Sequence, residues 1–457
     1  MRQMGTQVPP ARPVQSRLGP YGRVLSQPVL RRVLPGMLVS ALGDGMSLVA
    51  VAWLAVQIAP PGQRGVWTGL AVAAYALPAT LGAAAFGRLV RGLRGVRLVA
   101  VDSSLRAVVL GCVAVLAVMG VLGPVGYVAL LAGSSLLHAW GNAGTYTLIA
   151  EQVPDGADRV AGNALVSTFS QAAIVVGPAL AGGLTALVGP GWVIGADAAS
   201  FAVLAACCAV AGSPARAASP PASGPLPDPP SLPDPPSLSD PLTGSAEPGV
   251  ASGWRVILGQ PRLLGLTAVT CVFFFLYGPV EVALPIHVAQ ELHGSPGLLG
   301  AFWAVFGVGA VLGGLGAGLV RNSPLWTVVV CIIIGWGAAL LPIGLDDAVV
   351  PGMVGFGVGG LIYGPFLAIC TALFQRASPP AALSRVLATR TALTTPSGAL
   401  GTLLGGPVVG AIGGRHTLLA SALSTIALGV VVAATIGFGK ARPGSAGRGQ
   451  HPADQLR

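Results

Sequence analysis

The sequence feature that most restricts the fold of this chain is a succession of long apolar runs separated by short polar segments. Each run contains about 20 residues, the length of α-helix that crosses a lipid bilayer. Charged residues make up only 9% of the chain, whereas they make up about 25% of a typical soluble domain. Because backbone polar groups in lipid must be hydrogen-bonded within the segment, each run is expected to be helical. The sequence therefore predicts an all-α membrane protein with twelve transmembrane helices.

The twelve predicted spans form two groups of six. Spans one to six are predicted at Leu34–Ile58, Thr68–Gly87, Leu98–Met119, Val125–Ile149, Asn163–Val188 and Val193–Ala211. Spans seven to twelve are predicted at Leu263–Val288, Leu298–Val320, Thr327–Ile343, Met353–Phe374, Val386–Ile412 and Leu418–Phe438. Helices of this number and length leave little of the chain for a soluble domain.

A proline-rich segment separates the two groups. It contains Leu-Pro-Asp-Pro-Pro-Ser twice in tandem, at residues 226–231 and 232–237. Proline interrupts helices, and the segment has too few large apolar side chains to form a core, so it is expected to be disordered. The predicted organisation is an Arg/Pro-rich N-terminal segment (1–33), a six-helix bundle (34–211), a linker (212–255), a second six-helix bundle (256–438) and a tail (439–457).

The positive charge of the chain is concentrated in particular loops. Arginine accounts for 24 of the 25 basic residues, and the formal net charge is +10. Only Arg64 and Arg415 fall in loops that alternate with the arginine-rich ones. By the positive-inside rule, both termini and the linker are expected in the cytoplasm, with the chain in the cell membrane. The charge is thus a topology signal and does not indicate a nucleic-acid partner.

The chain lacks the patterns of common metal, nucleotide and membrane-enzyme sites. Its six cysteines lie in predicted spans without ligand spacing. Its single lysine, Lys440, is not part of a phosphate-binding Gly-x-x-x-x-Gly-Lys loop. Neither an Asp-Asp-x-x-Asp nor a His-Glu-x-x-His motif is present. We therefore expect no cofactor, no metal and no enzymatic activity.

Span five carries a stripe of small residues around a proline. Ala173, Gly177 and Ala181 are four residues apart, so they share one helical face that a neighbouring helix can approach closely, and Gly182 extends the small-residue pattern. Pro178 has no N–H to donate to the carbonyl of Ile174, so a bend is expected. Such a helix suits an interface that slides or rocks. The alternative is that glycine and proline are simply frequent in membrane helices.

This stripe resembles the antiporter motif of the major facilitator superfamily, Gly-Pro-x-x-Gly-Gly, with Ala181 in place of one glycine. Four further strings resemble its enterobactin-exporter-like and macrolide-efflux-like branch. They are Ser40-Ala-Leu-Gly-Asp44-Gly, the pair Asp102 and Arg106, Leu148-Ile-Ala-Glu-Gln-Val-Pro154 followed by Asn163-Ala-Leu, and Asp197-Ala-Ala-Ser-Phe201. The resemblance implies two parallel six-helix repeats, with a substrate path at their interface, and drug/proton antiport.

The loop after span two departs from the family pattern. The resemblance implies an acidic residue that latches the two halves on the cytoplasmic side, but Arg91 occupies its position. Asp102 is a candidate to replace that acid, which makes Arg91, Asp102 and Arg106 candidate residues of a cytoplasmic gate. Arg106 is one turn beyond Asp102, and an i,i+4 ion pair between them is expected.

Two acidic residues lie deep within predicted spans and are candidates for proton coupling or substrate binding. Ionisable groups at such depth are unfavourable and usually face a cavity. Asp44 lies in span one between two glycines, which are expected to leave it room and water. Glu281 lies in span seven, the equivalent of span one in the second half, but about two helical turns nearer the outer surface. The alternatives are a structural hydrogen bond for Asp44 and a place at the outer rim for Glu281.

Other polar residues in the spans have two interpretations. His138, Asn142 and Tyr146 on span four, and Asn163, Ser167 and Gln171 on span five, either line a cavity or form hydrogen bonds between helices. Arg390 on span eleven is expected to extend to the lipid headgroups. Asp197 is expected to have a structural role near the end of span six. The aromatic run at Phe273–Tyr277 is expected to pack or face lipid rather than substrate.

Together these features predict a monomeric secondary transporter. The expected activity is proton-coupled export, by alternating access, of an amphipathic small molecule such as a drug, an antibiotic or a siderophore. Its expected partners are the lipid bilayer, protons and that molecule. A proton-coupled uptake symporter with the same fold, and a membrane receptor that does not transport, are the alternatives.

Overall fold

A computed structural model describes residues 19–87, 92–153, 156–212, 253–320, 323–379 and 382–441. Within these ranges the chain is helical and contains no β-strand. Ten of the described helices are long and apolar enough to cross a membrane. The expectation of an all-α membrane protein is therefore confirmed.

The observed helices follow the predicted spans, with shifted ends. In the first half a short helix (Pro20–Ser26) comes before span one. The spans of this half are span one (Pro28–Ile58), span two (Arg64–Ala76 and Pro78–Ala85), span three (Gly95–Val118), span four (Pro124–Ser135 and His138–Gln152), span five (Ala157–Val188) and span six (Pro190–Gly212). In the second half a short helix (Gly253–Gly259) comes before span seven, which runs from Pro261 to Ile286 and continues as a π-helix over His287–Glu291. Span eight (Pro296–Gly316) ends in a 3₁₀ turn over Ala317–Val320. The remaining spans are span nine (Leu325–Leu345), span ten (Val349–Tyr363 and Phe366–Ala377), span eleven (Leu383–Ile412) and span twelve (Gly414–Ala441).

Three spans are interrupted near their middle. Spans two and ten break before Pro78 and at Pro365, where proline cannot donate the next intrahelical hydrogen bond. Span four breaks without a proline, between Ser135 and His138. There the hydroxyl of Ser135 donates to the carbonyl of Ala74 on span two at 3.0 Å, so part of its bonding is directed to another helix. Span five, in contrast, continues as a helix through Pro178.

The helix bundle has two ends, which we name by their position. The terminal face is the end where spans one, three and five begin, and the opposite face is the end where they finish. Near the terminal face, the short N-terminal helix is joined to the start of span five by Arg23. Its guanidinium donates two hydrogen bonds to the carboxylate of Asp158, at 2.6 and 2.8 Å.

The two halves meet toward the opposite face. There, span two packs on span eleven and span five packs on span eight. A Cβ atom added to Gly69 of span two would lie 3.1 Å from the carbonyl oxygen of Thr402 on span eleven. Among the described residues, the parts of spans four and ten that reach the terminal face have no extensive contact with the other half. The halves therefore close on each other at the opposite face and separate toward the terminal face.

The core of the second half is aromatic. Phe273, Phe356 and Phe366 are completely buried, and the rings of Phe273 and Phe366 lie 4.5 Å apart. Trp336 joins this cluster through Tyr277, at 5.6 Å between ring centroids. The aromatic run of span seven therefore contributes to packing inside the half, with Phe273 facing neighbouring helices.

Candidate functional site

Asp44 lies near the middle of span one, at the point where neighbouring helices come closest to it. A Cβ atom on Gly43 would overlap the carboxylate of Asp197 on span six. A Cβ atom on Gly45 would overlap the carbonyl of Ala173 on span five. The two flanking glycines thus allow helices to approach span one. The Asp44 side chain itself is one third exposed and lines a polar cavity, and the expectation that water reaches it stays a prediction.

The carboxylate of Asp44 is paired with a buried arginine. Its Oδ1 atom accepts a hydrogen bond from Nη1 of Arg106 on span three at 2.7 Å. The same oxygen accepts a hydrogen bond from the hydroxyl of Tyr75 on span two at 2.6 Å. One third of the Asp44 side chain remains exposed, whereas the Arg106 side chain is 1% exposed. Three spans of the first half therefore converge on a single carboxylate oxygen.

Arg106 pairs with Asp44, so the predicted i,i+4 pair with Asp102 was wrong. The guanidinium lies over two aromatic rings, 4.7 Å from the centroid of Phe201 and 5.3 Å from that of Tyr75. These rings hold the side chain toward span one, where cation–π attraction adds to the ion pair. Only Nε of Arg106 is buried without a hydrogen-bond partner. The pairing crosses from one helix to another, which the spacing of acid and base along a single span does not reveal.

Asp197 lies behind this pair and is fully buried. Its carboxylate accepts hydrogen bonds from the hydroxyl of Ser47 on span one and, at 3.3 Å, from that of Ser200. Span six begins at Pro190, so Asp197 is about two turns inside the helix. The predicted position at the helix end was therefore wrong, and the residue instead joins span six to span one beside Asp44.

A polar cavity of about 120 Å³ lies between spans one, three, four, five and six. Asp44, Asp102, His138 and Asn142 contribute to its wall. Asp102 is 6% exposed, and its Oδ1 atom has no hydrogen-bond partner. Its Oδ2 atom lies 4.0 Å from Nδ1 of His138, which is too far for a hydrogen bond. The cavity thus presents two carboxylates, one paired with arginine and one without a hydrogen bond.

Asp102 and Arg106 face helices of their own half. Asp102 packs against Gly141 of span four, where a Cβ atom would overlap its carboxylate. Neither residue forms an ion pair or hydrogen bond with the second half within the described ranges. The remaining candidate for the gate, Arg91, lies outside the described residues.

The polar rows on spans four and five divide into two groups. His138 and Asn142 line the cavity, and their side chains are joined by a 3.1 Å hydrogen bond. Tyr146, Ser167 and Gln171 are exposed and do not belong to the wall of this cavity. Asn163 is also outside the cavity wall, and its Oδ1 atom is buried without a hydrogen-bond partner.

Glu281 lies in the second half beside the contact between the halves. Its Oε2 atom accepts a hydrogen bond from the hydroxyl of Thr402 on span eleven at 3.1 Å. The carbonyl of Thr402 is the group that Gly69 of span two approaches. In contrast to Asp44, Glu281 has no arginine partner among the described residues.

Arg390 does not extend to the lipid headgroups, so that prediction was wrong. Span eleven begins at Leu383, which places Arg390 about two turns inside the helix. The residue is 8% exposed. Its Nη1 atom donates to the hydroxyl of Thr371 on span ten at 3.1 Å, and its guanidinium lies 5.2 Å from the ring centroid of Phe374.

The small-residue stripe of span five contacts two different helices. On one side, a Cβ atom on Gly177 would lie 2.5 Å from the carbonyl carbon of Gly45 on span one. On the other, a Cβ atom on Gly182 would lie 2.8 Å from Cα of Gly300 on span eight. Ala173, Pro178 and Ala181 are buried with the stripe. Span five therefore joins the helix of Asp44 to the second half through backbone contacts.

The proline of the stripe also affects the contact with the second half. Pro178 cannot donate to the carbonyl of Ile174, which therefore lacks its usual intrahelical partner. A Cβ atom on Gly307 of span eight would lie 2.9 Å from this carbonyl oxygen. The freed polar group thus faces span eight at a place where only a glycine permits the approach.

One cluster has the residue types of a metal site. Ligand atoms of His287, Glu291 and Asp347 lie within 4.8 Å of one another at the opposite face. However, Glu291 already accepts hydrogen bonds from the backbone N–H groups of Gly414 and Arg415, both at 2.8 Å. Asp347 is paired with the guanidinium of Arg415 at 2.9 Å. The cluster is best explained as a cap that satisfies the first N–H groups of span twelve.

Two participants in the Asp44 network were not identified from the sequence. Tyr75 lies in an alanine-rich stretch of span two, and Ser47 is a single hydroxyl in an apolar run. Their spacing from Asp44 has no special pattern, since both contacts depend on how spans pack. The sequence feature that could have identified them is a hydroxyl group deep in a membrane helix, because such groups usually hydrogen-bond to another helix or to their own backbone.

Comparisons with known proteins agree with this architecture. The family model described as Major Facilitator Superfamily matches residues 33–359. The chain is 29% identical to the multidrug efflux pump Tap of Mycobacterium tuberculosis over 417 residues, which cover 87% of this chain and 91% of that protein. It is 27% identical over 281 residues to the uncharacterised MFS-type transporter y4rN of Sinorhizobium fredii, covering 60% and 63% of the two chains.

Solved structures show the same fold at low sequence identity. The inward-facing, unoccupied structure of a bacterial homologue of the human lysosomal transporter Spinster has a TM-score of 0.63 and 13% identity, covering 92% of this chain and 98% of that chain. An inward-facing bacterial homologue of the iron transporter ferroportin has a TM-score of 0.63 and 13% identity, covering 88% and 98%. The chain belongs to the major facilitator superfamily and is a multi-pass membrane transporter.

Proposed function

We propose that this chain exports an amphipathic small molecule in exchange for protons, and that Asp44 is the proton-coupling residue. Membership of the transporter superfamily and the similarity to a multidrug efflux pump support transport and export. The observation that carries the proposal is the position of Asp44. It is ion-paired with Arg106 and lies next to the contact between spans one and five.

Protonation of Asp44 changes a force between helices. An ionised Asp44 neutralises the guanidinium of Arg106, which is 1% exposed and always charged. When the carboxylate is protonated, that charge loses its counter-ion in a medium where an unpaired charge is highly unfavourable. Spans one and three then lose a major attraction, and their relative position can change.

Span five provides a route from this change to the second half. It contacts Gly45, next to Asp44, and Gly300 of span eight, so a displacement of span one is passed to the contact between the halves. Both contacts are made by backbone atoms, which cannot adjust by side-chain rotation. The protonation state of Asp44 and the contact between the halves at the opposite face are therefore linked through one helix.

The direction of the cycle follows from the predicted topology. By the positive-inside rule the terminal face is cytoplasmic, and both termini lie in the cytoplasm. The conformation, closed at the opposite face and separated at the terminal face, then corresponds to the state that receives cargo from the cytoplasm. Cargo binding and deprotonation of Asp44 precede reopening toward the outside.

The test uses everted membrane vesicles, in which export appears as uptake driven by an acidic interior. The probes are ethidium and a rhodamine that carries a free carboxylate, both fluorescent and amphipathic. We expect gradient-dependent uptake by the wild type and its loss in Asp44→Asn. Asp346→Asn, an exposed aspartate in the loop after span nine, is the matched control and retains uptake.

The outcomes separate the alternatives. Gradient-driven uptake that is unchanged in Asp44→Asn would remove Asp44 from the coupling mechanism. Probe movement in the opposite direction would show a proton symporter for import. Binding of probes without any flux, in vesicles and in reconstituted liposomes, would identify a receptor and refute the proposal.

A further inference from the structure

Arg390 is a buried cation without an acidic partner. Of its five donor N–H groups, one on Nη1 bonds to the hydroxyl of Thr371, and Nε is buried without any partner. The ring of Phe374 adds cation–π attraction. Within the described ranges no carboxylate forms an ion pair with it. Arg106, a buried arginine of the first half, has Asp44 at 2.7 Å.

Such an arrangement is unfavourable unless an anion arrives from elsewhere. Arginine does not deprotonate in proteins, so its charge persists at every physiological pH. A hydroxyl group and an aromatic ring compensate only part of the lost hydration of a guanidinium. An unpaired buried charge destabilises a protein strongly, so the position of Arg390 indicates that an anion from outside the chain binds there.

The acids of the second half are too distant to serve as partners. Glu281 is bound to Thr402, which is 12 residues beyond Arg390 on span eleven (402 − 390). That separation is about 18 Å along the helix axis. The remaining described acids of this half, Glu291, Asp346 and Asp347, lie at the opposite face.

Arg390 lies where the two halves have separated. The close contact of span eleven with span two involves Thr402 and Gly406, toward the opposite face. Arg390 is on the terminal-face side of this contact, and span ten, which carries Thr371, has no extensive contact with the first half there. Arg390, which is 8% exposed, is therefore on the side of the contact from which a molecule would enter between the halves.

We propose that Arg390, held in place by Thr371, binds the carboxylate of the transported molecule. This inference rests on the proposed transport function and adds a substrate class, namely amphipathic molecules that carry a carboxylate. The planar guanidinium offers two parallel N–H donors that match the two oxygens of a carboxylate. The hydroxyl of Thr371 accepts from Nη1 of Arg390 and donates to the carbonyl of Leu367 at 2.7 Å, so it holds the guanidinium in place and leaves the other donors of Arg390 for the carboxylate.

Equilibrium binding without a proton gradient tests the proposal. The purified protein is placed in phosphatidylcholine nanodiscs, and fluorescence anisotropy is measured with the carboxylate rhodamine and with its methyl ester. We expect the wild type to bind the acid about 10-fold or more tightly than the ester, as for hydrogen bonds between charged groups. Arg390→Gln removes this preference, and Arg390→Lys retains part of it.

Controls address surface charge, lipid and structure. Arg376→Gln removes an exposed arginine at the end of span ten and should keep the preference of the wild type. If phosphatidylglycerol nanodiscs abolish the preference by competition, Arg390 binds a lipid headgroup and the inference fails. Arg390→Met should unfold at the same or a higher temperature than the wild type, because it removes an unpaired charge. A large decrease would show a structural arginine and overturn the inference.

The remaining outcomes are also decisive. Equal affinity of the wild type for acid and ester, absence of binding of either, or an unchanged preference in Arg390→Gln each refutes the inference. An Arg390-dependent preference without proton-driven flux in vesicles would leave the inference standing and refute the proposed function.

Discussion

The two halves of this transporter are built on the same six-helix plan but differ in what holds their centres together. In the first half, charged and hydroxyl groups meet around Asp44, beside a polar cavity. In the second half the equivalent region is filled by aromatic rings that are mostly fully buried. An ionic centre changes its cohesion when a proton binds, whereas an aromatic core does not. In the proposed mechanism the switch therefore lies in the first half, and the second half is the rigid body against which it works.

The largest effect is expected when the ionic centre loses its cation. Arg106→Gln leaves the carboxylate of Asp44 without its counter-ion, and breaking a buried pair in this way lowers the free energy of unfolding by about 3–5 kcal/mol. Thermal or denaturant unfolding in detergent measures it. The double variant Asp44→Asn/Arg106→Gln should recover a substantial part of the loss. A double variant no more stable than Arg106→Gln would show that the pair is not the source of the stability.

The next effect tests the contact between the halves. Gly182→Leu inserts a side chain where a Cβ atom would lie 2.8 Å from Cα of Gly300. Overpacking of this kind shifts a conformational equilibrium by about 1–3 kcal/mol, here away from closure at the opposite face. The labelling of cysteine residues by a reagent added at the opposite face should increase, and the transport of the probe should fall. Gly183→Leu is the matched control, because no atom lies within 4 Å of its added Cβ.

A smaller effect compares one hydroxyl group from each half. Thr402→Val removes the hydrogen-bond donor of Glu281, and Tyr75→Phe removes one of the two donors of Asp44. A polar group left without a partner, as in Thr402→Val, lowers the free energy of unfolding by about 1–3 kcal/mol. Loss of one hydrogen bond among several, as in Tyr75→Phe, lowers it by about 0.5–1.5 kcal/mol. Thr402→Val should therefore unfold at the lower temperature. The opposite order would mean that Glu281 has a second partner.

The smallest effect is expected at the terminal face. Arg23→Gln removes an ion pair with Asp158 that is accessible to solvent, and exposed pairs contribute little to stability. The unfolding temperature should remain close to that of the wild type and be insensitive to salt. A decrease comparable to that of Arg106→Gln would show that the short N-terminal helix is essential for the first half.

The fold was predictable because the bilayer imposes a simple rule on sequence. Apolar runs long enough to cross it must be helical, so the positions of the helices could be read from the sequence. The breaks at Pro78 and Pro365 follow from proline chemistry. The break after Ser135 could not be predicted in this way, because it accompanies a hydrogen bond to another helix.

The site was only partly predictable. The depth of Asp44 and Glu281 in their spans identified them as candidates. The partners of these acids depend on the rotation and depth of whole helices, which sequence spacing does not contain. Arg106 illustrates this point, since the nearest acid along its own helix is not the one it binds. Arg390 was misplaced because span eleven extends beyond its apolar run toward the terminal face, which puts the arginine inside the protein.

The backbone-to-backbone contacts of span five limit how proteins of this type can diversify. At Gly45, Gly177, Gly182 and Gly300 there is no side chain to enlarge, shorten or recharge without separating two helices. New cargo preferences must therefore be acquired at positions away from this joint, such as the cavity wall and the surroundings of Arg390. In the proposed mechanism, substitutions in this joint are expected to stop the movement, whereas substitutions at the cargo site are expected to change only what is carried.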